Sequence, residues 1–510
     1  MTALGVDPTG ISLDRTLGGL SRQLYQALRE RMLDGRMAAG TRLPASRDLA
    51  AALGVSRNTV VRAFDQLYAE GFVEGLVGSG TYVSALNKPP GKLSTNSSTG
   101  LRTGLSTGLS TAHDDFSSGL AVLAPLPSRL GPTPLAPLPS PRQGPPQAFR
   151  LGVPAVDLFP FAQWAKLQAH FWRNPDPTLL GYGDPAGYRR LRELIGAYLR
   201  ASRGLNCTTE QIVITTGAQQ AISRCAQLLL SPGDSVAVEN PGYRAAAHAF
   251  AAAGARLQGV GVDAQGLDCA ALPQDSDCRL AYVTPAHQYP TGVTLSLARR
   301  LQLLAWAERG RRWIIEDDYD SEYRYSDAPL APLAALDRAG RVIYVGTFGK
   351  VAFPALRLGY LVLPQPLVEP FTQRQATDIR HCDTASQAVM AAFMAAGHFQ
   401  RHIRRMRKAA LSRRNALIAQ WPASIDGCAA LPAIHAGLHV KIAAHSFASE
   451  QRLVAQAEQV GVEVTALSDY WLPDSTTPVD DRAGLLLGFA AVEEGRMAEA
   501  IERLRSVWCG

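Results

Sequence analysis

Gly346-Thr-Phe-Gly-Lys350, followed seven residues later by Arg357, decides how the rest of the chain is read. It comes after the apolar run Val342-Ile-Tyr-Val345, so Lys350 is expected just past the C-terminal end of a buried strand, where open α/β sheets carry their ligands. A lysine so placed is a candidate for Schiff-base chemistry. Upstream, the apolar run Trp313-Ile-Ile315 leads into Glu316-Asp-Asp-Tyr-Asp320, and an aldehyde cofactor with a pyridinium nitrogen needs a carboxylate partner of this kind. A single Lys or Asp at a strand end is usually a solvated loop charge. Lysine, carboxylate, tyrosine and arginine in this order point instead to pyridoxal phosphate.

A chain of 510 residues, 46% hydrophobic and 19% charged, is too long for one core and apolar enough for two or three domains. Its seven cysteines are odd in number and scattered, without a Cys-x-x-Cys or Cys/His cluster, so free thiols in a reducing compartment are expected, and no metal. No signal sequence opens the chain, and the apolar region Ala245–Val262 is interrupted by His248, Arg256 and Gln258. A cytoplasmic protein is the expectation. The formal charge of +7 could suggest a polyanionic partner. Residues 1–84, however, hold nine basic against eight acidic side chains, residues 85–150 six against two, and the remainder 36 against 34. Net charge therefore says little about DNA binding, which must rest on pattern.

From Leu20 the chain divides into three helical stretches and a hairpin. Ser46 is positioned to cap a short helix through Leu53, Gly54-Val55 makes a tight turn, and Ser56 is positioned to cap a second helix to about Glu70. This is a helix-turn-helix pattern. On a helical wheel Val60, Ala63, Phe64 and Leu67 gather on a packing side, while Arg57, Asn58, Val61, Arg62 and Asp65 share the opposite face, free to read a groove. Gly71 ends the helix, and residues 72–83 form two short strands around a Gly-rich tip suited to a phosphate backbone, a wing. Residues 85–148 are rich in Ser, Thr, Gly and Pro and read as a linker, flexible in its first half and more extended in its proline-rich second half.

After Phe149 short apolar runs alternate with helical stretches, which argues for a mostly parallel sheet covered on both faces. Ile212-Val-Ile214 leads through Thr215-Thr-Gly217 into a helix whose first amides, at Gly217, Ala218 and Gln219, can receive a phosphate. Tyr243, after the strand Ser235–Val238, could stack on a flat heteroaromatic ring or simply fill the core. His287 or Gln288, in the turn Thr284-Pro-Ala-His-Gln-Tyr-Pro-Thr-Gly292, could face ring substituents, and His287 is given no catalytic role.

Three phrases, Gly40-Thr-Arg-Leu-Pro-Ala-Ser-Arg-Asp-Leu49, Leu53-Gly-Val-Ser-Arg-Asn-Thr-Val60 and Gly78-Ser-Gly-Thr-Tyr-Val83, resemble the GntR-type winged helix-turn-helix, giving a DNA-binding unit at 15–84. The resemblance implies that Arg47 starts the helix before the turn, that Ser56, Arg57, Asn58 and Thr59 open the recognition helix, and that Gly80 marks the wing, with Arg57 and Arg47 the foremost DNA contacts. Residues 149–510 resemble the fold-type I aminotransferases, class I/II, an α/β large domain with a smaller C-terminal α/β subdomain. That resemblance implies Lys350 as the aldimine lysine, Asp317 on the pyridine nitrogen, Tyr319 on the ring hydroxyl, Tyr243 stacked on the ring, and Arg357 and Thr347 on the phosphate. Tyr182, in Gly181-Tyr-Gly-Asp-Pro-Ala-Gly187, looks like the tyrosine that reaches the phosphate of the neighbouring subunit in such dimers.

The two units together resemble the MocR family of bacterial transcriptional regulators, as do Glu316-Asp-Asp-Tyr-Asp-Ser-Glu322 and His287-Gln-Tyr-Pro-Thr-Gly292, where aminotransferases usually carry asparagine before the proline. Two positions depart from the aminotransferase pattern. Gly349 replaces a common serine, and Leu486, in Gly484-Leu-Leu-Leu-Gly-Phe-Ala490, stands where an arginine would hold the substrate carboxylate. Without that bidentate partner, full transamination of ordinary amino acids is in doubt. The expectation is a regulator that binds operator DNA and senses an amino compound, or pyridoxal phosphate itself, as a head-to-tail homodimer with each reader domain resting on the partner's large domain. The alternative is a working aminotransferase with an accessory DNA-binding arm.

Overall fold

The computed structural model describes residues 11–15, 19–76, 80–84, 135–139, 142–325 and 330–509. The reader domain consists of α1 (Leu20–Leu33), α2 (Ser46–Leu53), α3 (Arg57–Ala69) and the antiparallel pair β1 (Val73–Leu76) and β2 (Gly80–Val83). Gly54 ends α2 in the left-handed region at φ 63°, a conformation that costs glycine nothing. Ser56 then caps α3, its hydroxyl accepting the Thr59 N–H at 3.1 Å. Ser46 does not cap α2. Ala45 holds the cap position, Ser46 is already helical, and its hydroxyl lies instead 3.4 Å from Arg57 Nε. The buried residues of α3 are Val60, Ala63, Phe64 and Leu67, the packing side that the wheel predicts. Of the Gly-rich wing tip, residues 77–79 lie outside the described residues, whereas Gly80 is placed, at φ 117° beside the Arg42 guanidinium.

The reader is docked on the large domain. Arg29 donates to the Ala335 carbonyl at 2.9 Å, and Glu70, the C-cap of α3, accepts from Tyr25 Oη at 2.5 Å and from the Ala331 N–H at 3.3 Å. Leu297 and Leu336 of the large domain join the reader's apolar core, and Arg22 donates to the Ala201 carbonyl. This contact lies within one chain, whereas the sequence reading expects docking on a partner. Chain length discriminates between neither arrangement, because 64 residues between Ser84 and Phe149 could span up to roughly 200 Å when fully extended.

The large domain is built on an eight-stranded sheet of order β3-β10-β9-β8-β7-β4-β5-β6. The strands are β3 (Ile212–Thr215), β4 (Ser235–Asn240), β5 (Arg256–Asp263), β6 (Gly266–Leu267), β7 (Cys278–Val283), β8 (Trp313–Asp318), β9 (Val342–Thr347) and β10 (Gly359–Val362). The central strands are parallel as expected; β10 runs antiparallel between β3 and β9, and β6 is a short hairpin return on β5. Burial on both faces explains why these strands read as near-continuous apolar runs.

The C-terminal subdomain carries a three-stranded antiparallel sheet, β11 (His439–Ala443), β12 (Thr465–Ala466) and β13 (Gly484–Gly488), in the order β11-β13-β12. One face, with Val440, Ile442, Leu485 and Leu487, packs with the helices His398–Gln420, Phe447–Gln459 and Glu494–Trp508 into a separate core. The other face carries His439, Lys441, Leu486 and Gly488. Among the described residues no helix is long and apolar enough to cross a membrane.

Candidate functional site

The C-terminal ends of the parallel strands deliver the predicted side chains to one place. Lys350, Asp317, Tyr319, Tyr243, Gly217, Ala218, Gln219, Thr347 and Arg357 all line one cavity of about 380 Å³. Tyr182 does not; it is 90% exposed on the surface of its own chain.

Lys350 follows β9, and its Nζ donates to the Gly152 carbonyl at 2.7 Å. Gly152 lies at φ 71°, and a Cβ there would stand 2.7 Å from that same Nζ, so glycine serves both backbone and lysine. Burial pushes the ammonium's pKa down, opposed by the carboxylates of Asp320 and Asp317. A lysine whose neutral form is made accessible in this way is a usable amine nucleophile.

Asp317 is buried at the end of β8. Its Oδ2 accepts from Tyr282 Oη at 2.7 Å, and its Oδ1 has no hydrogen-bond partner among the described residues. Burial raises its pKa to about 6, with Tyr282 and Lys350 pulling the other way and Asp318 adding to the rise. The alternation of β8 sends its neighbours to the opposite face. Glu316 accepts the N–H groups of Leu333 and Ala334 at 2.8 and 2.9 Å, and Asp318 accepts Tyr344 Oη at 2.6 Å beside the buried Arg203.

Tyr319 Oη lies 2.9 Å from His287 Nδ1, which is also 3.0 Å from Asp320. The His439 ring lies tilted against His287 at 4.9 Å and bonds the Pro290 carbonyl through Nε2 at 3.0 Å. Tyr319 is thus positioned by a buried polar network. The three members His287, Asp320 and His439 bring ligand-type atoms within 4.8 Å of one another, a grouping the sequence reading does not anticipate, and each already has a hydrogen-bond partner inside the protein. Gln288 faces away from the ring site: its amide donates to Glu239, to the Pro241 carbonyl and to the Tyr289 carbonyl. Tyr289 lines the cavity instead, edge-on to Tyr243 at 5.8 Å and to Tyr319 at 5.8 Å.

The phosphate end is equally specific. Gly217, at φ 106°, is the N-cap of the helix Ala218–Leu229, and a Cβ on it would meet the Arg357 guanidinium at 3.4 Å. Arg357 itself is held at φ 49°. Thr347 Oγ1 accepts the Gly349 N–H at 3.1 Å, and Gln219 uses its amide on the Ala245 carbonyl at 2.8 Å, leaving its backbone to face the cavity. Helix amides and a guanidinium beside a glycine with no side chain form a cradle for an anion. With the orphaned Asp317 Oδ1 and the Lys350 amine lining the same cavity, the residues present fit pyridoxal phosphate.

Four contributors, Tyr282, Leu151, Gly152 and Tyr289, are not among the residues predicted from sequence. Tyr282 sits within an apolar strand run that gives no hint of its bond to Asp317. The two meet because β7 and β8 lie parallel with Tyr282 opposite Ile315, and Asp317, next but one along β8, shares the face of Ile315. Leu151 and Gly152 reach the cavity from a loop far away in sequence, and Tyr289 had a signal, its place before Pro290 where asparagine is usual.

In the reader, Arg47, Ser56, Arg57 and Asn58 are exposed and Thr59 is half-buried through its bond to the cap. Arg62 and Asp65, assigned by the wheel to the same groove-reading face, instead line a cleft of about 940 Å³ between reader and large domain, with Arg22, Tyr25 and Arg203. A wheel averages over a face; docking divides it.

Residues 147–503 match the family model for aminotransferase class I and II, and residues 20–83 match that for bacterial regulatory proteins of the gntR family. The chain is 36% identical to the probable rhizopine catabolism regulatory protein MocR of Rhizobium meliloti over 96% of this chain and 94% of that protein. It is 35% identical to the HTH-type transcriptional regulator TauR of Rhodobacter capsulatus over 78% of this chain and 79% of that one. Among solved structures, a Pyrococcus horikoshii kynurenine aminotransferase in complex with PMP superposes with a TM-score of 0.62 at 26% identity, covering 71% of this chain and 91% of that chain.

Proposed function

Because this chain belongs to the MocR-type bacterial transcriptional regulators, a gntR-family reader joined to a class I/II aminotransferase domain, we propose that it binds pyridoxal phosphate through Lys350 and senses an amino compound there. The observation that carries the reading is the convergence of nine residues from separate strand ends and turns on one cavity, on a chain that also bears a DNA reader. Bound pyridoxal phosphate supplies an electrophilic aldehyde and an electron-withdrawing ring. The chain's own residues do the rest. All line the cavity, where Lys350 would present the amine, Asp317 would hold charge for the ring nitrogen, Tyr319 would donate to the ring hydroxyl, Tyr243 would pack on the ring, and the amides of Gly217, Ala218 and Gln219 with Thr347 and Arg357 would hold the phosphate. Leu486, fully buried where a carboxylate-binding arginine would stand, favours sensing over turnover of ordinary amino acids.

The active form in this reading is a homodimer in the cytoplasm. Phe161, Trp172, Leu180 and Tyr182 are each more than half exposed, and Tyr182 is available to complete the neighbour's phosphate site. All seven cysteines are free, which suits a reducing compartment. Arg47 and Arg57, with Ser56, Asn58, Thr59 and the wing at Gly80, contact double-stranded operator DNA, one half-site per reader. The test is an absorption spectrum of the purified chain followed by titration with amino compounds, alongside operator binding with and without them. A colourless protein whose DNA affinity ignores both cofactor and amines rejects the reading.

A further inference from the structure

Leu486 removes the guanidinium, but the cross-strand register puts another cation beside that position. In the antiparallel ladder Lys441 of β11 lies directly opposite Leu486 of β13, and His439 lies opposite Gly488. Directly opposed residues share a face, with Cβ atoms roughly 5 Å apart. That face looks away from the subdomain core, because the intervening Val440 and Ile442, and Leu485 and Leu487, all pack into it. It looks towards the site: the His439 ring lies tilted 4.9 Å from His287 and edge-on 5.4 Å from Tyr289, and a Cβ on Gly488 would strike the Arg150 carbonyl oxygen, with Leu151 Cα at 3.1 Å. Leu151 and Tyr289 both line the cofactor cavity.

Lys441 is half-buried on this face and, among the described residues, has neither a hydrogen-bond acceptor nor a carboxylate partner. Burial alone pushes its pKa down, with no opposing charge. A lysine on a half-buried sheet face ordinarily has its ammonium paired or in open water. The Lys441 ammonium is not among the buried polar atoms left without a partner, so it reaches water, and with no carboxylate holding it the charge is free to meet an anion on this face.

On the reading that the cavity holds pyridoxal phosphate and an amino compound, we propose that Lys441 binds the carboxylate of that compound, replacing from the neighbouring strand the arginine that Leu486 has displaced. The ligand class is an α-amino acid rather than a simple amine or a polyamine. A single ammonium on a four-carbon stem grips a carboxylate as a point charge, without the fixed fork of arginine, which gives recognition with looser orientation. Such a grip suits a sensor more than a catalyst.

The experiment uses the full chain loaded with pyridoxal phosphate and compares a panel of L-α-amino acids with the corresponding amines that lack the carboxylate, following cofactor absorption and, independently, heat of binding. Wild type should prefer the best amino acid over its amine by at least about tenfold, as expected for a charge-assisted contact. Lys441→Met should lose that preference while binding the amine unchanged. Lys441→Arg should keep it, and Leu486→Arg placed on Lys441→Met should restore it. Thermal melting separates a folding defect from a binding one. If Lys441→Met keeps the preference, or wild type shows none, the inference is overturned with the cofactor reading intact. If pyridoxal phosphate does not bind at all, the reading beneath it falls first and this inference with it.

Discussion

Tyr282 donates to Asp317 Oδ2 at 2.7 Å while Asp317 Oδ1, equally buried, has no partner among the described residues. The cofactor-free protein therefore holds a carboxylate that is cheaper to keep protonated. Its pKa in the folded chain is about 6 against an ordinary 3.8, so the group's stabilising contribution is complete below about pH 4 and is lost as pH rises through 6. Two units correspond to on the order of 3 kcal/mol. The expected outcome is that Asp317→Asn, free of cofactor, melts with a flatter pH dependence between pH 4 and 7 than wild type, and gains most at the upper end. A cation opposite Oδ1 should reverse this, so cofactor-loaded wild type should outlast loaded Asp317→Asn at pH 7. Equal pH profiles for the two cofactor-free proteins would remove the assigned burial cost.

Lys350→Ala should leave the cavity able to accept pyridoxal phosphate at its phosphate end but unable to hold it covalently. Borohydride treatment followed by intact mass measurement should show the cofactor adduct in wild type and none in the variant. An adduct that persists on another lysine would displace Lys350 from its role.

The exposed cations of the reader separate into two expected effects. Arg57→Ala, at the start of α3, should cost about 1–3 kcal/mol on the operator and relax preference at one base position. Arg47→Ala, on α2, should weaken all sequences alike and lower the salt dependence of binding by about one phosphate contact. Footprinting and affinity at two salt concentrations distinguish these. If both variants behave alike, the division between base and phosphate contacts is wrong.

What could be read from the chain beforehand was whatever obeyed a local rule. Ser56 was legible as a cap because an N-cap hydroxyl has a fixed partner three residues on, and Lys350 and Gly217 because strand ends and helix starts announce themselves in apolar runs and glycines. Ser46 followed the same rule one residue out of step. What stayed hidden depends on distant packing. Gly152 meets Lys350 across nearly 200 residues of chain, Arg62 and Asp65 turn towards the large domain only because the reader docks there, and Lys441 acquires meaning only from its register with Leu486. No periodicity along one segment encodes those relationships.

Communication between the halves has a physical route at β8. Asp317 faces the cavity, while its neighbour Glu316 faces the other way and holds the start of the helix Leu333–Leu336 through two N–H groups. That helix meets the reader: the Ala335 carbonyl accepts Arg29, and Leu336 belongs to the reader's core. A displacement of β8 on the cavity side is thus one residue removed from the reader's footing. Glu316→Gln replaces one acceptor oxygen by a donor, so one of the two N–H groups loses its partner and the helix start loosens. Cofactor affinity, set on the opposite face, should be preserved. Coupling should shrink, and in both directions, since linkage makes the factor by which cofactor alters operator affinity equal to the factor by which operator alters cofactor affinity. Wild type is expected to show a common factor of about 5–150 in the two titrations, and Glu316→Gln a common factor closer to one. If the variant keeps the wild-type factor, β8 is not the route; if the wild-type factor is itself one in both titrations, the docked reader is deaf to the cavity.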